Sequence, residues 1–257
     1  MTTGFAPVVF EAPLVNPAPN GLFAATNWQT TDGPLRWLAS GVDVRVFNYG
    51  GADAYGVWTA PWCGATEDLD PGDVKEGTRP EFPDSFEAFT SWATDECDLT
   101  ARSQAEVLTR AEQTHRLQEP NAVETAFSAR LLTDGGTPAA AADIVEAVSK
   151  LEAAIALTNT VGFIHAGAQW AAYAAQAQLI VRSGTGLKTP LGNTWVFGGG
   201  YVAGLADVLV ATSPTFGWRG TVTIQGAMKL EWNRFKAVAE RSLVVGYEAA
   251  IAAVDIA

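Results

Sequence analysis

The stretch from Phe235 to Ile256, FKAVAERSLVVGYEAAIAAVDI, decides the fold. It carries Ala239-Glu240-Arg241-Ser242 and then the β-type run Leu243, Val244, Val245 and Tyr247. A membrane-spanning helix needs roughly 20 uninterrupted apolar residues, and the charges here exclude one. The segment is also much longer than an ordinary strand of about 5–6 residues. It reads as one long strand, Asn233 to Tyr247, followed by a second, Ala249 to Ile256, that returns to a sheet.

Upstream, Arg219 to Gln225 reads as another long strand. Short strands are expected near Asp207–Ala211, Trp195–Phe197, Leu179–Val181 and Phe163–His165, with a short helix over Ala168–Gln178. Ile144, Val148, Leu151 and Ile155 recur at helical spacing within a helix over Ala139–Leu157. The strongest helical signal is Thr100 to Leu132, where Thr100 can cap the start and Ala101, Ala105, Leu108, Ala111 and His115 fall on one face. Pro120 is expected to kink or break that helix after Glu119, and Asp134-Gly135-Gly136 to end it. The fold class is therefore α+β, without internal repeats.

The first half is less regular. Val42, Val44 and Val46 alternate with Asp43, Arg45 and Phe47, a half-buried strand pattern. Further strands are expected at Tyr55–Trp58 and Phe86–Trp92. Between them, Thr59 to Asp84 holds Pro61, Gly64, Pro71, Gly72, Gly77, Pro80 and Pro83. Structureless connections beyond about 12–15 residues are uncommon in a compact domain and are usually functional. Residues 1–34 combine Pro7, Pro13, Pro17, Pro19 and Pro34 with apolar Phe5, Val8, Val9, Phe10, Leu14, Val15, Leu22 and Phe23. Proline imposes an extended path and the apolar residues need a surface, so an arm lying on a neighbouring molecule fits better than a free tail.

Composition narrows the function. Apolar residues make up 48% of the 257, as in a globular chain. A net charge of −12 argues against a protein that grips duplex DNA, which needs clustered Lys and Arg. The N-terminus lacks a basic, apolar signal-peptide pattern, so assembly in the cytoplasm is expected. Cys63 and Cys97 are too few for a disulfide framework and are expected to be free thiols.

No catalytic, cofactor or metal site is expected. In Ser183-Gly184-Thr185-Gly186-Leu187-Lys188 the residue before the Lys is Leu187 where a phosphate-binding loop needs Gly, so a tight turn between strands is the reading. Gly198-Gly199-Gly200 opens no long helix, so a dinucleotide site fails on context. His115 is expected in a solvated pair with Glu112, and His165 in a turn. Glu67-Asp68-Leu69-Asp70 and Asp95-Glu96-Cys97-Asp98 lack the spacing of a calcium loop. No nucleophile sits beside a base.

Together with Phe163-Ile164-His165-Ala166, Thr189-Pro190-Leu191-Gly192 and Gly198-Gly199-Gly200-Tyr201, the Phe235–Ile256 ending resembles the major capsid proteins of tailed bacteriophages of actinobacteria. Those have the Hong Kong 97-type fold. The resemblance implies an N-terminal arm over 1–34, a peripheral (P) domain strand over 35–47 and an outstretched hairpin, the E-loop, over 48–98. It further implies a P-domain segment with the spine helix over 99–136, an axial (A) domain over 137–216, long P-domain strands over 217–244 and a return strand over 245–257. The implied partner is the chain itself, in hexamers and pentamers of an icosahedral head that encloses double-stranded DNA without reading its sequence. Scaffold, portal or decoration proteins would be separate chains, and no membrane is involved. An encapsulin-like nanocompartment of the same fold is the alternative. Candidate subunit-interface residues are Phe5, Val9, Phe10, Leu14, Trp58, Trp62, Phe82, Phe86, Glu240 and Arg241. The Lys and Asn that some relatives crosslink are matched by no motif here.

Overall fold

The long C-terminal segment divides between two sheets, and the rest of the molecule is arranged around that division. The computed structural model describes residues 8–31, 33–70, 72–73, 75–184 and 186–256. In chain order the first half holds helix α1 (Leu22–Ala25), strand β1 (Asn27–Thr30), helix α2 (Trp37–Ser40), strand β2 (Phe89–Cys97) and helix α3 (Ala101–Asp134). Strand β3 (Ala139–Ala141), helix α4 (Ile144–Leu157), strand β4 (Phe163–Gly167), helix α5 (Trp170–Gln176) and strands β5 (Val181–Ser183), β6 (Gly186–Lys188) and β7 (Thr194–Gly198) follow. Helix α6 (Tyr201–Gly204) and strands β8 (Val208–Thr212), β9 (Phe216–Arg219), β10 (Thr223–Lys229), β11 (Arg234–Gly246) and β12 (Ala250–Ile256) complete the chain.

β11 organises the first sheet. It pairs antiparallel with β2 along one edge, from Phe235 to Leu243. Along the other edge it pairs first with β10 and then, from Leu243 to Gly246, with β9. A 13-residue strand is thus used by three partners, which is why the apolar run is so long. β1 adds to β9 in parallel. β12 enters the second, seven-stranded sheet, whose order is β3-β12-β8-β4-β7-β6-β5. Strands β9 and β10 divide what the sequence presents as a single strand over 219–225.

α3 joins the two sheets. Thr100 caps it by accepting from the Ser103 amide, as expected. Its buried row in the first half is Val107, Ala111 and His115, the first two packed on Phe235, Ala237 and Ala239 of β11. Ala101, Ala105 and Leu108, expected on that face, are exposed. The second half, Val123, Phe127 and Leu131, shares one core with Leu243–Val245 of the first sheet and Val196 and Val210 of the second. The helix runs through Pro120 without a break. Proline removes only one ladder bond, and packed residues on both sides of it hold the helix together. α4 lays Ile144, Val148, Leu151 and Ile155 on the seven-stranded sheet, the face its spacing predicts.

The first half departs most from expectation. Residues 35–47 hold α2 and one isolated bridge, Val42 to Phe86, in place of a strand. The alternation itself is real, since Val42, Val44 and Val46 are more covered than Asp43, Arg45 and Phe47. Tyr55–Trp58 forms no strand and is exposed throughout. Alternation supplies a face, but a ladder also needs a partner backbone. Conversely, residues 22–30, expected within the arm, are built into the body: Leu22 is fully buried and β1 belongs to a sheet.

Candidate assembly surfaces

From Gly50 to Ser85 no described residue is buried. Single 3₁₀ turns at Gly51–Asp53 and Thr66–Asp68 are its only regular structure among the described residues. The segment displays Tyr55, Val57, Trp58 and Trp62, the last 99% exposed, and the partly covered Phe82. Lys75 Nζ lies 3.9 Å from the Trp58 ring centre, and the Arg45 and Arg79 guanidiniums lie over Phe82. Eight acidic and two basic residues fall in this stretch, half of the net charge of −12. A soluble monomer rarely leaves so many large apolar groups uncovered in one region.

The arm gives the second surface. Val8, Val9, Phe10 (81% exposed), Leu14 and Val15 all face solvent. Hydrogen bonds tie this segment to α3: Gln113 Nε2 donates to the Val15 carbonyl at 2.9 Å, and Arg116 donates to the same carbonyl and to Asn16 Oδ1. Phe5 lies outside the described residues. A third exposed group, which sequence reasoning missed, is Met228, Leu230 and Trp232 at the β10–β11 turn; Trp92 on β2, opposite Glu240, is exposed separately. Their signal was present, since apolar residues flank a tight turn where polar ones are usual.

Two candidates are corrected. Phe86 is 2% exposed, packed edge-on against Tyr247 with the Arg130 guanidinium over its ring; it is core. Arg241 shares with Ala237, Ala239 and Leu243 the face of β11 toward α3. Its guanidinium forks onto both oxygens of Glu119. Glu240, one residue along, lies on the opposite face and is partly covered.

The Arg241–Glu119 pair belongs to a buried polar cluster. Ser91 Oγ donates to Glu119 Oε1 at 3.0 Å and lies 3.0 Å from His115 Nε2. The hydroxyl has one proton, so His115 Nε2–H is the donor to Ser91. Burial lowers the His115 pKa, Glu119 opposes this, and Arg241 reinforces it. His115 is therefore an interior residue and not half of a solvated pair with Glu112.

Glutamates also pin the roots of both appendages. Glu124 Oε1 accepts the Leu22 amide and Oε2 the Gly200 amide, each at 2.9 Å. A Cβ on Gly200 would run into the Asn121 carbonyl and the Glu124 side chain, and Gly21 holds φ +93° against the same carboxylate. Burial raises the Glu124 pKa, and hydrogen bonds from the Gly200, Leu22 and Gly199 amides pull it back. Glu248 accepts the Phe47 and Asn48 amides at 3.3 and 3.0 Å and Asn48 Nδ2 at 2.7 Å. The glycine triplet thus has a packing role around a carboxylate, and Gly184 (φ +60°) serves the β5–β6 hairpin expected there.

His165 sits within β4 and not in a turn. Thr212 Oγ1 donates to the Ser213 carbonyl, so it accepts from His165 Nε2, and Nδ1 accepts from the Tyr201 hydroxyl at 3.1 Å. Full burial lowers its pKa from 6.5 to about 3. With the folded value depressed, this stability is present above the unfolded value of about 6.5 and is lost as pH falls toward about 3. Glu124 has the opposite sign, since its raised folded value favours the protonated form. In His165→Gln the fall in thermal midpoint between about pH 6.5 and about 4 is expected to be shallower than in the parent chain. Parallel slopes would refute the assignment.

Cys63 and Cys97 are free and exposed. No group of three potential metal ligands and no helix long and apolar enough to cross a membrane occurs among the described residues.

By sequence, no family model and no curated protein matches the chain. Solved structures do match. The capsid of an empty GTA particle superposes with a TM-score of 0.59 over 98% of this chain and 95% of that one, at 12% identity. A chain of Mycobacterium phage Cain gives 0.55 over 100% and 94%, at 11% identity. The capsid of Ralstonia phage GP4 gives 0.53 over 99% and 95%, at 11% identity. The chain has the Hong Kong 97-type capsid fold. The matched spans are nearly complete on both sides, so they extend beyond the two sheets and take in the irregular 48–85 segment.

Proposed function

We propose that the chain is the shell-forming subunit of a phage-type head, a structural protein and not an enzyme. The observation that supports this most is the capsid fold combined with a segment, 50–85, in which no described residue is buried. Fixing one residue's backbone costs about 1–2 kcal/mol, so such a segment is ordered at a profit only when a neighbour covers it. Obligate interfaces of about 2,000–5,000 Å² supply that cover. In this reading 1–21 is the arm and 48–85 the E-loop; the five-stranded sheet and α3 form the peripheral domain, and the seven-stranded sheet the axial domain. Subunits assemble in the host cytoplasm into hexamers and pentamers of a closed shell that holds double-stranded DNA by enclosure. Val9, Phe10, Leu14, Trp58, Trp62 and Phe82 are the contact residues, with Phe5 and Glu240 as further members. Scaffold, portal and decoration proteins are separate partners.

Electron microscopy of the purified chain tests this. Closed shells of uniform size are expected, and a protein that stays monomeric at every concentration and in particles from infected cells would overturn it. Particles filled with a cargo protein in place of DNA would mark an encapsulin-like compartment.

A further inference from the structure

The arm is attached to its own subunit in an unusual way. Val8, Val9, Phe10, Leu14 and Val15 are 61–94% exposed although the segment lies beside α3. What holds it is one fork of polar groups. Arg116 Nε donates to Gln113 Oε1 at 3.1 Å, which fixes the two side chains relative to one another. The remaining donors of Gln113 and Arg116 converge on the Val15 carbonyl and on Asn16 Oδ1. Farther out, Arg102 and Glu11 stand 4.0 Å apart, both largely exposed. At the other end the chain is fixed by the Glu124 bond to the Leu22 amide, just past Gly21.

Apolar side chains this exposed gain little from the position, because the gain follows the area removed from water. A guanidinium shared between the Val15 carbonyl and Asn16 Oδ1, by contrast, gives a defined geometry that water can replace at low cost. The segment is therefore placed but not packed. We propose that Gln113 and Arg116 are a clasp that parks the arm on the subunit's own helix. The clasp opens between residues 16 and 21 when a second copy offers an apolar surface. This rests on the shell-forming reading above. A parked state lowers the fraction of subunits competent to assemble, so weakening it raises the apparent affinity between copies.

The test uses the full chain with Gln113→Ala and Arg116→Ala combined, and Arg116→Lys as the milder variant. Light scattering at fixed protein concentration follows assembly, and limited proteolysis follows the arm in the free subunit. The double variant is expected to assemble about tenfold faster, the factor equivalent to about 1.4 kcal/mol, and to be cut more readily between residues 8 and 20. Arg116→Lys should fall between, since an ammonium cannot fork. Assembly that is unchanged or slower would overturn the clasp, because the contact would then be absent or retained within the shell. If neither chain assembles at all, the shell reading fails, and proteolysis still decides the clasp: equal cutting of both chains sinks it.

Discussion

Glu119→Ala is expected to lower the stability of the isolated subunit by about 3–5 kcal/mol, the usual cost of leaving a buried charge without its partner. Glu119 is 4% exposed and takes both prongs of Arg241 as well as the Ser91 hydroxyl. Without it the guanidinium of Arg241 remains inside, close enough to Arg219 to lower the Arg219 pKa, which burial lowers first. Arg219 has its own Nε unsatisfied among the described residues. Among the described residues Glu119 is the one carboxylate paired with Arg241. Arg241→Ala should cost less, particularly in acid. Removing Arg241 takes away one influence that lowers the His115 pKa, so His115 can protonate and pair with Glu119. That compensation is present at low pH and is lost as pH rises through the new His115 value. Urea unfolding at two pH values measures both effects. Replacing the pair together, as Glu119→Leu with Arg241→Met, should recover most of the loss, since apolar residues of similar volume often substitute for a buried pair. A double variant as unstable as Glu119→Ala would show that the pair's geometry, and not its uncompensated charge, carries the effect.

The second large effect is on assembly and leaves the fold alone. Trp58→Ala with Trp62→Ala removes two exposed indoles that make no core contact. Surface changes of this kind usually alter stability by no more than about 0.5 kcal/mol. As anchors in an interface, buried tryptophans are often worth about 2 kcal/mol or more each. The double variant should therefore unfold like the parent, while the concentration at which shells form rises by more than about thirtyfold, equivalent to about 2 kcal/mol. Light scattering against concentration reads the second quantity. Shells forming at the parent concentration would remove these residues from the contact surface.

Much of the body was legible because its segments carry their own periodicity. β11 and β12, the cap and end of α3, and the buried row of α4 each follow from local pattern and end signals. What failed depends on a partner outside the segment. Val42–Val46 has the right alternation but a single bridge, Val42 to Phe86; Tyr55–Trp58 has strand-like residues and pairs with no described strand. β1 hides among prolines and is a strand only because β9 lies beside it. The charges misled for a related reason. An Arg in a β run looks solvated until a carboxylate 122 residues away turns out to face it. The buried row of α3 slipped by a few positions because small alanines mark several faces equally well.

The short passage from β11 to β12 has a mechanical meaning. Tyr247 is fully buried with its hydroxyl on Asp134 at the end of α3, and Ser213 Oγ accepts both the Glu248 and Ala249 amides. A link so thoroughly bolted is a poor hinge. The two sheets should swing together as one plate, leaving shape change to the parts that leave the plate at residues 21 and 48. Glu124 and Glu248 stand at those two points as fixed fulcrums. A shell built from such plates would flex at its overhangs while each tile keeps its form.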